Sequence, residues 1–148
     1  MTTVPLRAPQ TTALVTWLAQ QTDLPVGEGE APSGVGWQGT PGQSVFQGYG
    51  VVHSLPAGIL DGDLAHPSSD GDLVWQVNAI GGTQAHAESI SDLFANVLLG
   101  PPPDLQIPGR GVMWVRADIP HGAARQDADL PATWWSFARY RIGTTPIT

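Results

Sequence analysis

Four histidines and a run of acids in the middle of the chain are the residues best suited to metal chemistry. His53 and His66 lie near two Asp-Gly-Asp sequences, at residues 61–63 and 70–72. Imidazole and carboxylate groups from distant parts of a chain can meet around a metal ion, so these residues form one candidate site. However, the histidines lack the short spacings of metal-binding helices, and no Glu completes a calcium loop. Solvated histidines and Asp-Gly turns are the simpler interpretation.

The sequence offers little other reactive chemistry. It has no cysteine, which excludes disulfides, thiolate metal sites and a cysteine nucleophile. All six basic residues are arginine. The Gly-Gly-Thr turn at residues 81–83 lies between a predicted strand and a predicted helix, but the lack of lysine excludes a Walker-type phosphate loop there. No serine lies in a Gly-x-Ser-x-Gly elbow, and no pair of carboxylates can be assigned to glycoside hydrolysis. We therefore predict no catalytic residue, no metal and no cofactor, and expect that the protein is not an enzyme.

Charge is distributed unevenly along the chain. The net charge of −7 argues against simple binding to a phosphate backbone. Residues 1–109 contain ten acids and one arginine, whereas residues 110–148 contain five arginines and three acids. Such asymmetry favours contact between unlike surfaces of neighbouring molecules, with chance as the alternative. The arginines that could form one patch, facing an acidic partner surface, are Arg110, Arg116, Arg125, Arg139 and Arg141.

Two helices are predicted from apolar residues that recur with a period of 3.6. The first covers residues 9–22. Its apolar face comprises Leu14, Trp17 and Leu18. The second lies between Thr83, whose hydroxyl can cap a free backbone N–H, and Gly100. Its apolar stripe comprises Ile90, Leu93, Phe94, Val97 and Leu98.

Four strands are predicted from alternating apolar residues. They cover residues 45–55, 73–80, 111–117 and 133–142. In the first strand, Gly48 and Gly50 leave space for the close approach of a backbone or an aromatic ring. In the last strand, Arg139 and Arg141 project from one face. Trp37 lies in a predicted loop and either plugs the core or anchors a partner.

These elements predict one α+β domain over residues 1–148. Its expected architecture is an antiparallel or mixed four-stranded sheet with two helices on one face, in the order α-β-β-α-β-β. Long loops are expected at residues 25–44 and 56–72. No apolar run approaches the length of a membrane span, and the first residues do not have the pattern of a signal peptide.

Several segments of the chain resemble a known family. The first helix is followed by PVGEGEAP, then by the glycine-bearing strand YGVVHSLPAG. The segment DGDLVWQVNAIGGTQAHAESISDLFANVLLG and the final strand WWSFARYRIG complete the pattern. Together they resemble the tail terminator proteins of long-tailed, siphovirus-type bacteriophages. The resemblance covers most of the chain, and residues 70–100 carry most of it.

The resemblance implies a structural virion protein. Such proteins form a ring, expected to be hexameric, that caps the tail tube and stops polymerisation of the major tail-tube protein. The ring also gives the docking face for the head-completion or connector protein, and DNA passes through its lumen without specific binding. The expected location is the head-proximal end of the tail, after assembly in the host cytoplasm, with no membrane partner.

The same resemblance suggests roles for two sets of residues. The candidate acids for the lumen or a ring end are Asp61, Asp63, Asp70 and Asp72. The candidate subunit-interface residues are Trp37, Arg139 and Arg141. Another head–tail connector or minor tail protein is the alternative, followed by a small metal-dependent enzyme.

Overall fold

A computed structural model describes residues 6–61, 70–100, 104–130 and 132–147, with the backbone alone for residues 57–61. The elements in chain order are α1 (Arg7–Thr22), β1 (Val26–Glu28), β2 (Gly36–Trp37), β3 (Phe46–Gln47), β4 (Tyr49–Asp61), β5 (Asp70–Gly81), α2 (Gln84–Leu99), β6 (Arg110–Ile119), β7 (Arg125–Gln126) and β8 (Trp134–Pro146). The predicted mixed α+β class is confirmed. Neither of these helices is long and apolar enough to cross a membrane.

The main sheet has six strands, so the prediction of four was wrong in number. Its order is β1-β4-β5-β8-β6, and β7 pairs with the start of β8. Strand β1 runs parallel to β4, whereas the other pairs are antiparallel. A second, two-stranded sheet joins β2 to β3. The four long strands correspond to those predicted, except that the first predicted strand is divided and its residues 46–47 form β3 in the second sheet. The missed strands β1, β2 and β7 have two or three residues, too few to show a period.

Two of the loops are shorter in the structure than predicted. Residues 25–44 contain β1 and β2, and the hairpin strands β4 and β5 extend into residues 56–72. A bulge between Ser54 and Gly58 lets β4 continue past Pro56, which would otherwise interrupt the ladder. Pairing between the strands has therefore outweighed the local turn signals.

Both helices pack on the same side of the main sheet and form one core with it. The residues of β5 that face them are Leu73, Trp75, Val77 and Ala79, all buried as predicted. The predicted face of α1 is also buried in this core. The indole N–H of Trp75 donates a hydrogen bond to Thr11 Oγ1 at 2.8 Å, which ties α1 to the sheet.

Helix α2 follows its predicted pattern with one exception. Thr83 Oγ1 accepts a hydrogen bond from the backbone N–H of His86 at 3.1 Å, which confirms the predicted cap. Ile90, Phe94 and Leu98 are buried in the core. Leu93 is 39% exposed, so its place in the predicted buried stripe was wrong.

The predicted close approach at Gly50 of β4, and at Gly48 just before it, is confirmed. A Cβ atom added to Gly50 would lie 2.5 Å from Cζ of Phe94, and one added to Gly48 would lie 2.4 Å from Cδ1 of Ile90. Helix α2 therefore rests directly on the backbone of this part of the sheet.

Candidate functional site

The face of the main sheet that points away from both helices is the candidate site. Successive side chains of a strand point to opposite faces, and paired residues share a face. In β8, Ala138, Tyr140 and Ile142 belong to the core, so Arg139 and Arg141 lie on the other face, as predicted. We call this surface the open face and define it by Asp72, Gln76, Trp114, Arg116, Asp118, Arg125, Trp135, Phe137, Arg139 and Arg141.

Arg141 is held by two acids of the same chain. Its Nε donates to Asp72 Oδ1 at 3.0 Å, and its Nη1 lies 3.6 Å from Asp118 Oδ1. The hydrogen bond to Asp72, helped by the charges of both acids, raises the pKa of Arg141 above its usual value. The structure therefore brings together Arg141, predicted for a subunit contact, and Asp72, predicted for the lumen.

Arg139 has neutral partners. Its Nε donates to Gln76 Oε1 at 3.2 Å, and Gln76 in turn donates to Asn78 Oδ1 at 2.9 Å. In the described part of the chain, no carboxylate lies within ion-pair distance of Arg139. Its positive charge is therefore available to an acidic group from outside the chain.

Aromatic rings separate the arginines of the open face. The guanidinium of Arg116 lies 4.4 Å from the ring centre of Trp114. The Trp114 ring also lies against the backbone of β8, because a Cβ added to Gly143 would lie 2.3 Å from its Cε2. Cation–π contact of this kind keeps a guanidinium in place while its remaining N–H groups stay free to bind.

A second aromatic pair lies at the start of β8. Trp135 and Phe137 stack with their centroids 5.7 Å apart, and Arg125 lies 5.7 Å from the Trp135 centroid. Both rings are half-buried. The open face thus combines large aromatic surfaces with guanidinium groups.

One arginine of the predicted patch is not on this surface. Arg110 is 8% exposed and donates to the hydroxyl and the carbonyl oxygen of Thr144. Its burial lowers its pKa. The five-arginine patch was therefore wrong for Arg110, whose role is to hold the start of β6 against β8.

The remaining candidate acids lie at the far end of the β4–β5 hairpin. Asp61 ends β4 and pairs in register with Asp70, the half-buried first residue of β5. Asp63 lies outside the described residues. The assignment of these acids to a lumen stays a prediction.

Trp37 lies apart from the open face, in β2. Its ring meets Phe46 edge-on with centroids 5.0 Å apart, and Phe46 meets His86 in the same way at 6.0 Å. The indole Nε1 of Trp37 is buried and has no hydrogen-bond partner among the described residues. Trp37 therefore packs within its own chain, and its contact with a neighbouring subunit stays a prediction.

The histidines do not converge. His53 lies on β4 opposite Gln76, His86 accepts a hydrogen bond from the N–H of Gly82, and His121 Nε2 lies 2.9 Å from Asp92 Oδ1. His66 lies outside the described residues. Within the described residues, no group of three or more His, Asp or Glu side chains could hold a metal ion.

An open groove of about 720 Å³ runs along α1 and could accept a small apolar group. Its lining includes Ala13, Thr16, Trp17 and Gln20, with Asp104 on the opposite wall. Nucleophilic catalysis needs a nucleophile beside a base. In the described part of the chain, Asp104 accepts a hydrogen bond from Gln106 Nε2 at 3.3 Å and none from a threonine hydroxyl. The groove therefore does not indicate a reaction.

Sequence reasoning placed Arg116 in the arginine patch but missed Trp114, Asp118 and Gln76 as members of the open face. Trp114 and Arg116 are two residues apart in a predicted strand, so alternation alone would have placed them together. Asp118 lies just beyond the predicted strand end, and the role of Gln76 depends on the pairing of β5 with β8.

Comparison with known proteins gives no identification. No family model matches the chain, and no curated protein matches it. The function must therefore be argued from the chemistry of the surface. Trp, Phe and Arg side chains are enriched in protein interfaces, so the open face is best suited to contact with another protein.

Proposed function

We propose that the chain is a structural subunit that assembles with copies of itself into a ring. By its resemblance to tail terminators, the ring caps the tail tube of a long-tailed phage and stops its polymerisation. It also provides the joining surface for the head-completion or connector protein. The observation that carries the proposal is the open face, a sheet surface with three large aromatic rings and four arginines that neither helix covers.

The composition of the open face supports self-assembly over catalysis. Its aromatic side chains are half-buried within one chain and can lose further exposed area in a contact. Its arginines lie in the part of the sequence that carries net positive charge, whereas the rest is strongly acidic. Contact between unlike surfaces is heterologous, and a heterologous contact closes into a ring when its rotation permits.

The acidic excess supports the proposed passage of DNA. The net charge of −7 per chain repels a phosphate backbone, so a duplex would pass the ring without adhering. Asp61, Asp63, Asp70 and Asp72 remain the candidates for the lumen or a ring end.

Native mass is the first test of the proposed ring. Light scattering over a wide concentration range should detect a species of six copies of the 15.6 kDa chain, or 93.6 kDa. Electron microscopy of that species should show a central opening. A monomer at every concentration, or a tight dimer with stoichiometric metal, would contradict self-assembly into a ring.

Capping is tested on the tail-tube protein of the same genome. Adding the chain to growing tubes should stop their elongation and leave a ring at one end. If growth continues and the chain binds the connector instead, the protein is another head–tail joint component. The gene order supports the same distinction, because a terminator gene is expected beside the tail-tube gene.

A variant that lacks two arginines of the open face tests whether this surface contributes to assembly. Arg139→Ala with Arg141→Ala should weaken assembly at least about tenfold, or about 1.4 kcal/mol, and leave the fold intact. Gln20→Ala with Gln21→Ala, on the exposed surface of α1, is the matched control. Unchanged assembly of the arginine variant would place the contact elsewhere.

A further inference from the structure

The two ends of the main sheet are chemically unlike. The sheet ends with β6 on one side and with β1 on the other. Among the described strands, none pairs with the outer edge of either. Such an edge presents free N–H and C=O groups to a strand of another chain.

The described part of the β6 end has one unpaired cation beside partly exposed apolar side chains. Among the described residues Arg116 has no carboxylate partner, whereas the acid Asp118 lies 3.6 Å from Arg141. Arg116 is exposed, and the nearby Met113 and Leu99 are 48% and 42% exposed. Met113 and Leu99 line a groove of about 270 Å³ between β6 and the end of α2. Large exposed side chains beside an unpaired strand edge are typical of a contact surface.

The free edge of β6 is regular over a short stretch only. Bulges lie on both sides of Trp114–Ala117, whose four residues pair regularly with β8. Bulges prevent pairing with a long foreign strand, so this edge accepts a short one. At the other end of the sheet, β1 has three residues.

The β1 end is acidic. Asp23, Glu28 and Glu30 are exposed, and none of them has an ion-pair partner among the described residues. Glu28 accepts a hydrogen bond from Thr12 Oγ1 at 3.3 Å. Arg7 and Glu28 line one groove at this end, but the guanidinium of Arg7 donates to Ser54 Oγ and to the carbonyl oxygen of Leu55.

We propose that the β6 edge of one copy docks against the β1 edge of the next, with Arg116 facing Glu30, whose backbone lies on the open-face side of β1. The inference rests on the proposed self-assembly and adds a contact between sheet edges to that of the open face, which includes Arg116. The occupant of each edge is a second copy of this chain, because charge and strand length match between the two ends of the sheet. Each copy uses both edges, so the contact is heterologous and can close into a ring.

A charge exchange tests the contact. Arg116→Glu alone, and Glu28→Arg with Glu30→Arg alone, should each raise the protein concentration needed for half-assembly at least about tenfold. An equal mixture of the two variants should restore assembly, because every contact in an alternating ring then joins opposite charges. Restoration by mixing also shows that both variants are folded.

Control variants change the net charge equally on other surfaces. Gln20→Glu with Gln21→Glu matches the first variant, and Asp104→Arg with Asp129→Arg matches the second; all four residues are exposed. These controls should assemble like the unmodified chain. If the variants and the controls lose assembly equally, the loss results from the change in net charge alone, and the proposed contact is overturned.

The lack of native cysteine permits an independent test. A chain with both Arg116→Cys and Glu30→Cys should form, on oxidation, a ladder of covalent species that ends at the ring. Chains with one of these substitutions should give no ladder longer than a dimer. Absence of the ladder, or failure of the mixture to assemble, overturns the contact.

Failure of the contact and failure of the proposed function have different signatures. If the unmodified chain assembles and the exchanged variants assemble equally well, the ring stands and its interface lies elsewhere. If the unmodified chain stays monomeric at every concentration, both the ring and the contact are overturned.

Discussion

A methyl group added at Gly50 measures how tightly α2 packs on the sheet. Its Cβ would lie 2.5 Å from Cζ and 2.8 Å from Cε2 of Phe94. Non-bonded carbon atoms prefer separations of about 3.5–4.0 Å. Phe94 is 1% exposed, so its ring has no free space to enter. We expect Gly50→Ala to lower the free energy of unfolding by about 1–3 kcal/mol, the range for overpacked cores.

Urea unfolding followed by tryptophan fluorescence measures this loss. For a chain of about 150 residues the corresponding fall in Tm is about 2–12 °C. The comparison needs a fixed protein concentration, because assembly makes Tm depend on concentration. Gly111→Ala is the matched control, since this strand glycine has no contact closer than 3.8 Å at the added Cβ. It should be neutral or stabilise by up to about 1 kcal/mol.

A double variant tests whether Phe94 causes the loss. Phe94→Leu removes the ring and makes room for the methyl group at Gly50. The two changes should therefore be less costly together than their sum, by about 0.5–3 kcal/mol. Strict additivity, or equal stability of Gly50→Ala and Gly111→Ala, would refute the steric explanation.

Three further predictions concern the core and α2. Thr11→Val leaves the indole N–H of Trp75 buried without its acceptor and should cost about 1–3 kcal/mol, whereas the exposed Thr16→Val should cost less. Burial raises the pKa of Tyr140 to about 12. The unfolded chain therefore loses this proton first, and stability should fall by about 2–3 kcal/mol as pH rises from 10 to 12, a loss that Tyr140→Phe removes. Thr83→Ala should lower the free energy of unfolding by about 0.5–2 kcal/mol in the same denaturation assay, through loss of the α2 cap.

The long elements could be predicted because their patterns are local. The alternation over residues 73–80 and the period of α2 follow from burial on one side, and both were confirmed for most residues. Leu93 is the exception, since its apolar side chain lies at the margin of the buried stripe and points partly to solvent. A period predicts which residues share a face, but it does not predict how wide the covering layer is.

The short strands could not be predicted in the same way. Strand β1 depends on parallel pairing with β4, which is distant in sequence. The requirement for glycine at residue 27 depends on how the chain turns after β1, because a Cβ there would lie 1.9 Å from the carbonyl oxygen of Glu30. Alternation along the strand predicted that Arg139 and Arg141 share a face. The hydrogen bond from Arg141 to Asp72, however, joins residues 69 apart in sequence and depends on β5 lying next to β8 in the sheet.

The paired charges of the open face bear on how one ring could both assemble and repel DNA. An ion pair such as Asp72–Arg141 sums to zero charge, so pairing leaves the net charge of −7 per chain unchanged. Beyond a Debye length of about 10 Å, a duplex responds to the net charge more than to single groups. In the proposed contact, Arg116 of one copy meets the acidic β1 end of the next, so the charges buried there largely cancel. The surface that remains in contact with solvent, the lumen included, keeps most of the net negative charge of each chain, so the assembled ring still repels DNA as its passage requires.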